Sequence, residues 1–133
     1  YFGTAEAERW LVAEHAEHNA QLEILRSGKW PDSPAGRKIA SLAERVGPQA
    51  SQRMRRYWEL MAWIVAEAEE TMMEEEAGDV EFDPAEIRST FAELAGLKQA
   101  LGKSTFHAFN ALLPFSRNDY WEVSELKQRV GKH

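Results

Sequence analysis

Residues 54–72 read MRRYWELMAWIVAEAEETM, and the spacing of the large apolar side chains in this stretch decides the fold. Met54, Trp58, Met61, Val65, Ala68 and Met72 stand 4, 3, 4, 3 and 4 residues apart. That heptad-like interval puts them on one helical face and favours the shallow crossing angles of a bundle. The helix is expected from about Gln49 to Glu76, between the breakers Gly47-Pro48 and Ala77-Gly78. It is the longest element of the chain.

Outward from this helix, Gly and Pro divide the sequence into further helical segments. On the N-terminal side, Thr4 to Ser27 forms a first helix closed by Gly28, and Leu11, His15, His18, Leu22 and Leu25 repeat the 4, 3, 4, 3 interval. A turn at Lys29-Trp30-Pro31-Asp32 leads to Ser33 as N-cap and Pro34 at the first position of a second helix ending at Val46-Gly47. On the C-terminal side, Asp83-Pro84-Ala85-Glu86 starts a fourth helix, with Glu86 placed to complete a capping box. That helix runs to Leu101 and Gly102, and Gly96 weakens its middle. Ser104 starts a short fifth helix that stops before Pro114, and Ser116 or Asn118 caps a last one from about Asp119 to Val130. No segment alternates with the period of two that marks a half-buried strand. The expectation is an all-α bundle of five to six helices with one long central helix, forming a single domain over residues 1–133.

Composition excludes several classes of function. A hydrophobic fraction of 44% over 133 residues supports a folded core. The absence of cysteine removes disulfides, thiol catalysis and thiolate metal sites. No apolar run approaches the ~18 residues that a membrane-spanning helix needs, and Tyr1 to Ala7 has neither the basic nor the apolar part of a signal peptide. The net charge of −6 is unevenly placed. Residues 1–66 hold nine basic and eight acidic residues, whereas Glu67 to Glu86 holds ten acidic residues and no basic one. That run repels nucleic acid and anionic lipid. It reads as a solvated helix end, or as a docking surface for a basic partner or a loose divalent-cation site, with Glu70, Glu74 and Glu75 the positions for partner binding.

Four constellations bear on chemistry. His15 and His18 share the apolar face of the first helix and are the candidate metal ligands, with Glu14 or Glu69 as nearby carboxylates. Two histidines are not a complete site, and the chain lacks any Glu-x-x-His of the kind di-iron bundles use, so no cofactor is expected. Residues 39–56 resemble a helix-turn-helix in outline, with Gln49, Gln52, Arg53 and Arg56 positioned to reach bases or phosphates. Its second helix is too long, and the overall charge is wrong for phosphate attraction. Ser104 and His107 lie three apart, but no glycine elbow or nearby carboxylate frames a nucleophile. Trp30 sits in a turn, where it either folds back as a plug over the end of the bundle or anchors a partner. The segment Leu113 to Trp121 poses the same choice.

The stretch Leu25 to Ile39, LRSGKWPDSPAGRKI, together with Gly102-Lys103 through Pro114-Phe115, resembles the soluble helical segment that follows the membrane part of bacterial PrsW-type intramembrane proteases. That family's chemistry resides in transmembrane Glu-Glu-x-x-Lys, Phe-x-x-x-Glu and His-x-x-x-Asp motifs. Here Glu69-Glu70 is followed by Met73 where the lysine would stand, and His107 by Ala111 where the aspartate would stand. Phe82 to Glu86 has the second spacing, but Asp83-Pro84 makes it a helix start in water. No catalytic residue carries over, and the resemblance implies a cytosolic appendage of such a protein. The start at Tyr1-Phe2-Gly3 fits an excised fragment or a processed chain.

The sequence therefore leads to a non-catalytic helical interaction or regulatory module. It is expected in the cytoplasm, with or without a membrane tether, and to bind a protein partner or a second copy. Trp30, Glu70, Glu74 and Glu75 are its partner-binding candidates. Nucleic acid is not favoured, and membrane contact would come only through an adjoining segment.

Overall fold

The computed structural model describes residues 20–76 and 83–131, and among them there are six helical segments and no strand. The described part of α1 spans 20–26. It is followed by α2 (Pro34–Val46), α3 (Pro48–Glu76), α4 (Pro84–Leu101), α5 (Lys103–Asn110) and α6 (Arg117–Val130). The chain is all-α, with one long central helix, as the spacing in residues 54–72 predicts. No described helix is long and apolar enough to cross a membrane.

Local chemistry explains most boundaries. Ser33 accepts a hydrogen bond from the Gly36 N–H, and Pro34 opens α2 where its missing donor costs nothing. Asp83 accepts from the N–H groups of Ala85 and Glu86 at the start of α4. The reciprocal capping box forms in α6 and not at Glu86: Ser116 accepts from the Asp119 N–H, and Asp119 accepts from the Ser116 N–H. Ser104 is not a cap. It lies within the first turn of α5, which starts one residue earlier from Gly102 without any side-chain cap. Gly47 (φ 94°) and Gly102 (φ 83°) take the left-handed backbone that lets one helix stop and the next begin within a single residue.

The core is organised around α3, which packs against α2, α4 and α6. Met54, Trp58, Met61, Val65 and Ala68 are all buried, as their spacing requires, and Met72 is half-buried. A second stripe, Tyr57, Leu60, Ile64 and Thr71, is buried beside the first. Two adjoining buried stripes leave α3 little solvent face between Tyr57 and Ala68, so it is the hub of the bundle. Ile87, Leu94 and Leu101 of α4 and Val123, Leu126 and Val130 of α6 complete the cluster, with Leu25, Ile39 and Leu42 closing the other side. Tyr57 meets the rings of Phe106 and Phe109 edge-on at 5.2 and 5.9 Å. Burial pushes its phenol up to about 12.

Two glycines lead to opposite outcomes. Gly36 is buried where α2 passes the preceding turn, and a Cβ there would collide with the Pro31 carbonyl. Gly96 lies on the exposed side of α4 with open space around a Cβ. In thermal or urea unfolding, Gly96→Ala is expected to stabilise by about 0.5–1 kcal/mol, and Gly36→Ala to destabilise by about 1–3 kcal/mol. Trp58→Ala removes the largest fully buried side chain and is expected to cost about 3–5 kcal/mol.

Candidate functional site

Two clefts flank α3. The first, about 330 Å³, lies among α1, α3 and α4, and its rim includes Arg26, Arg56, Glu59, Trp63 and Glu93. The four charged side chains form one chain of ion pairs. Arg26 Nε is 2.8 Å from Glu59 Oε1, Arg56 approaches the same oxygen at 3.2 Å, and Arg56 grips Glu93 with a fork of 2.6 and 3.1 Å. These contacts tie α1 and α4 to α3. Hydrogen bonding to Glu93 raises the Arg56 guanidinium above its ordinary value, and the same bond holds the Glu93 carboxyl below its own. The charges of Arg26, Glu59, Arg56 and Glu93 answer one another and form a strut between helices, and Glu86 also lines the cleft.

The second cleft, about 340 Å³, is bounded by Trp30, Ala40, Ala43, Gly47, Pro48 and Ser51 at the corner where α2 meets α3. Trp30 is half-buried and stacks on the fully buried Trp58 with ring centroids 6.2 Å apart, and the Arg55 guanidinium lies 4.8 Å from its ring. Trp30 therefore packs on the core with one part of its ring and lines the cleft with another. Arg55 over the ring adds a cation–π contact.

The other expected positions separate as follows. His15, His18 and Glu14 lie outside the described residues, as do the side chains of Glu74 and Glu75. Glu70 is half-buried near the end of α3. Glu69 is only 7% exposed, so part of the acidic run faces inward and is not a uniformly solvated helix end. The cause is register: Glu69 follows Ala68 on the face that α3 turns to its neighbours. Among the described residues, no group of three or more His, Asp or Glu is placed to hold a metal ion. Ser104 and His107 are both exposed. Gln49, Gln52 and Arg53 are exposed at the start of α3, but Arg56 is engaged by Glu93 and Glu59. Gly47 alone joins α2 to α3, where a helix-turn-helix uses about three or four residues.

Trp121 is the residue on which the sequence left the choice open and the structure decides. It is 58% exposed on α6, although its neighbour Tyr120 packs edge-on against Phe115 at 6.3 Å. Trp30, Trp58 and Trp63 are each buried or half-buried. An isolated sequence signal for this did not exist, because Tyr120 and Trp121 are adjacent aromatics and only the packing of α6 determines which one turns outward.

A double-mutant cycle on Arg56→Ala and Glu93→Ala is expected to give a coupling of up to about 1 kcal/mol, shrinking as salt is raised. The pair's contribution is present above the ordinary carboxylate range and is lost as the pH falls through the depressed value of Glu93. Urea midpoints measured along a pH series would check both.

No family model matches the chain, and no curated protein or solved structure matches it.

Proposed function

We propose that the chain is a non-catalytic helical interaction module whose protein-binding surface includes Trp121. The observation that supports this reading is the exposure of Trp121, a side chain of large apolar area left 58% in water on an ordered helix. Tryptophan is among the residues enriched at interface hot spots, because its flat ring buries a wide apolar area and carries a polar N–H. The rest of the molecule is consistent with a scaffold. Its ion pairs connect helices, and its core includes the buried rings of Tyr57, Trp58 and Phe109. The resemblance of residues 25–39 and 102–115 extends the proposal to a larger membrane protein, of which this domain would be the cytosolic appendage.

A solvent-exposed side chain without packing partners contributes little to folding. Trp121→Ala is therefore expected to shift stability by less than about 0.5 kcal/mol while abolishing capture of the partner by the immobilised chain from an extract of its source cell. Unchanged capture by the variant would remove Trp121 from the interface. A turnover measured on a substrate panel, and lost on changing one residue of either cleft, would overturn the non-catalytic reading altogether.

A further inference from the structure

Arg55 is a cation without a counter-charge. It is half-buried on α3, makes no ion pair among the described residues, and buries its Nε without a hydrogen-bond acceptor. Its guanidinium carbon instead lies 4.8 Å from the centre of the Trp30 ring. The next residue, Arg56, has two carboxylates, Glu59 and Glu93. A partly desolvated charge costs stability unless an opposite charge and hydrogen bonds compensate it. A ring face compensates a guanidinium less than a carboxylate does. Arg55 keeps part of its surface in solvent, so a carboxylate arriving from outside can meet it.

The same Trp30 ring lines the cleft of about 340 Å³ at the corner of α2 and α3. Ala40, Ala43 and Pro48 give this cleft apolar walls, and Ser51 adds a hydroxyl. Ser51 stands one helical turn before Arg55, on the same side of α3. A recess of this volume, mostly apolar with a few polar groups, has the make-up of a small-molecule site. The charge around it is one-sided. Residues 26–56 carry eight basic and two acidic residues. Asp32 is paired with Arg37 at 2.9 Å, which leaves Glu44, exposed on the rim, as the one acid in the lining. Lys29, Lys38, Arg45 and Arg53 are exposed and make no ion pair among the described residues. The field of these segments favours the approach of an anion.

We propose that this cleft binds a small aromatic carboxylate. The flat apolar part of the ligand lies against Trp30, Ala40 and Ala43, and its carboxylate pairs with Arg55. Each half answers an observed feature: ring area opening on an apolar recess, and a guanidinium beside it with no acid of its own. A neutral aromatic meets only the first, and an inorganic anion only the second. The site lies on α2, α3 and the turn before them and makes no use of Trp121, so it adds a ligand to the module without adding a protein contact.

Titration of the full chain with phenylacetate, phenylacetamide and phenethylamine, followed by NMR of the nitrogen-labelled protein, tests it. Phenylacetate is expected to bind with a Kd of about 1 mM or tighter, shifting the signals of Trp30, Ser51 and Arg55. Phenylacetamide should bind at least about tenfold more weakly, the loss of one charge-assisted contact, and phenethylamine more weakly still. Arg55→Gln should lower the affinity for phenylacetate to that for the amide, with the amide's own affinity and the circular dichroism spectrum unchanged. Ala40→Leu fills the cleft from α2 and should abolish binding of both. Glu44→Gln should bind phenylacetate no less tightly, and Trp121→Ala equally well. If Arg55→Gln fails to fold, the ranking of acid, amide and amine together with Ala40→Leu still decides. No binding at about 10 mM phenylacetate, or equal affinity for acid and amide, overturns the proposal. So do tighter binding of the amine, which would make Glu44 the reader of charge, and shifts that spare Trp30 and Arg55. Binding lost in Trp121→Ala and kept in Ala40→Leu overturns it too, while leaving the interaction-module reading standing.

Discussion

Covering α3 is the constraint on which the rest of the structure depends. A helix of 29 residues extends about 43 Å at 1.5 Å per residue, and its middle presents two adjoining apolar stripes, not one. No single neighbour can bury both. α4 and α6 pack on it and on each other and α2 packs on it as well, while α5 rests on α4 and α2 and meets α3 through Tyr57. Trp58 stands at the centre of this arrangement, fully buried and stacked against Trp30.

That dependence explains why the short connections are so specific. The turn between α1 and α2 must bring Trp30 back over Trp58 and let α2 pass close to Pro31, and the space at Gly36 is what permits the approach. Gly47 and Gly102 reverse the chain in one residue each because left-handed backbone is open to glycine. The ion pairs Arg26–Glu59–Arg56–Glu93 then hold the outer helices in register on the rim, where solvent screening keeps their individual worth small. Stability comes from the apolar hub, and the charged strut adds orientation.

Function separates from this framework along its surface. Among the described residues, ion pairs and apolar contacts link the helices, while Trp121 of α6 and Ile24 of α1 face outward and Lys29, Lys38, Arg45 and Arg53 make no ion pair. The last turn of the central helix is acidic and its first turn is uncharged, so neither end carries the charge that would favour the dipole.

The all-α class, the long central helix and the caps at Ser33 and Asp83 were legible in the sequence, since they follow from spacing and from hydrogen-bond chemistry within four residues. The heptad interval of Met54 to Ala68 marked one buried stripe correctly, and Gly28, Gly47 and Gly102 marked the ends of three helices. Other features depended on contacts distant in the chain. That α3 is buried on a second stripe through Tyr57, Leu60 and Ile64 and that Glu69 turns inward follow from which helices pack on which. The candidate site was the less legible part. Arg56 looked available for a ligand until Glu93, 37 residues away, was seen to hold it. Trp30 and the segment holding Trp121 posed the same choice in the sequence, yet Trp30 is half-buried against the core and Trp121 is exposed. Periodicity and capping are local and therefore written in the sequence itself. Which polar group finds a partner, and which aromatic ring finds a neighbour, is decided only when distant segments meet.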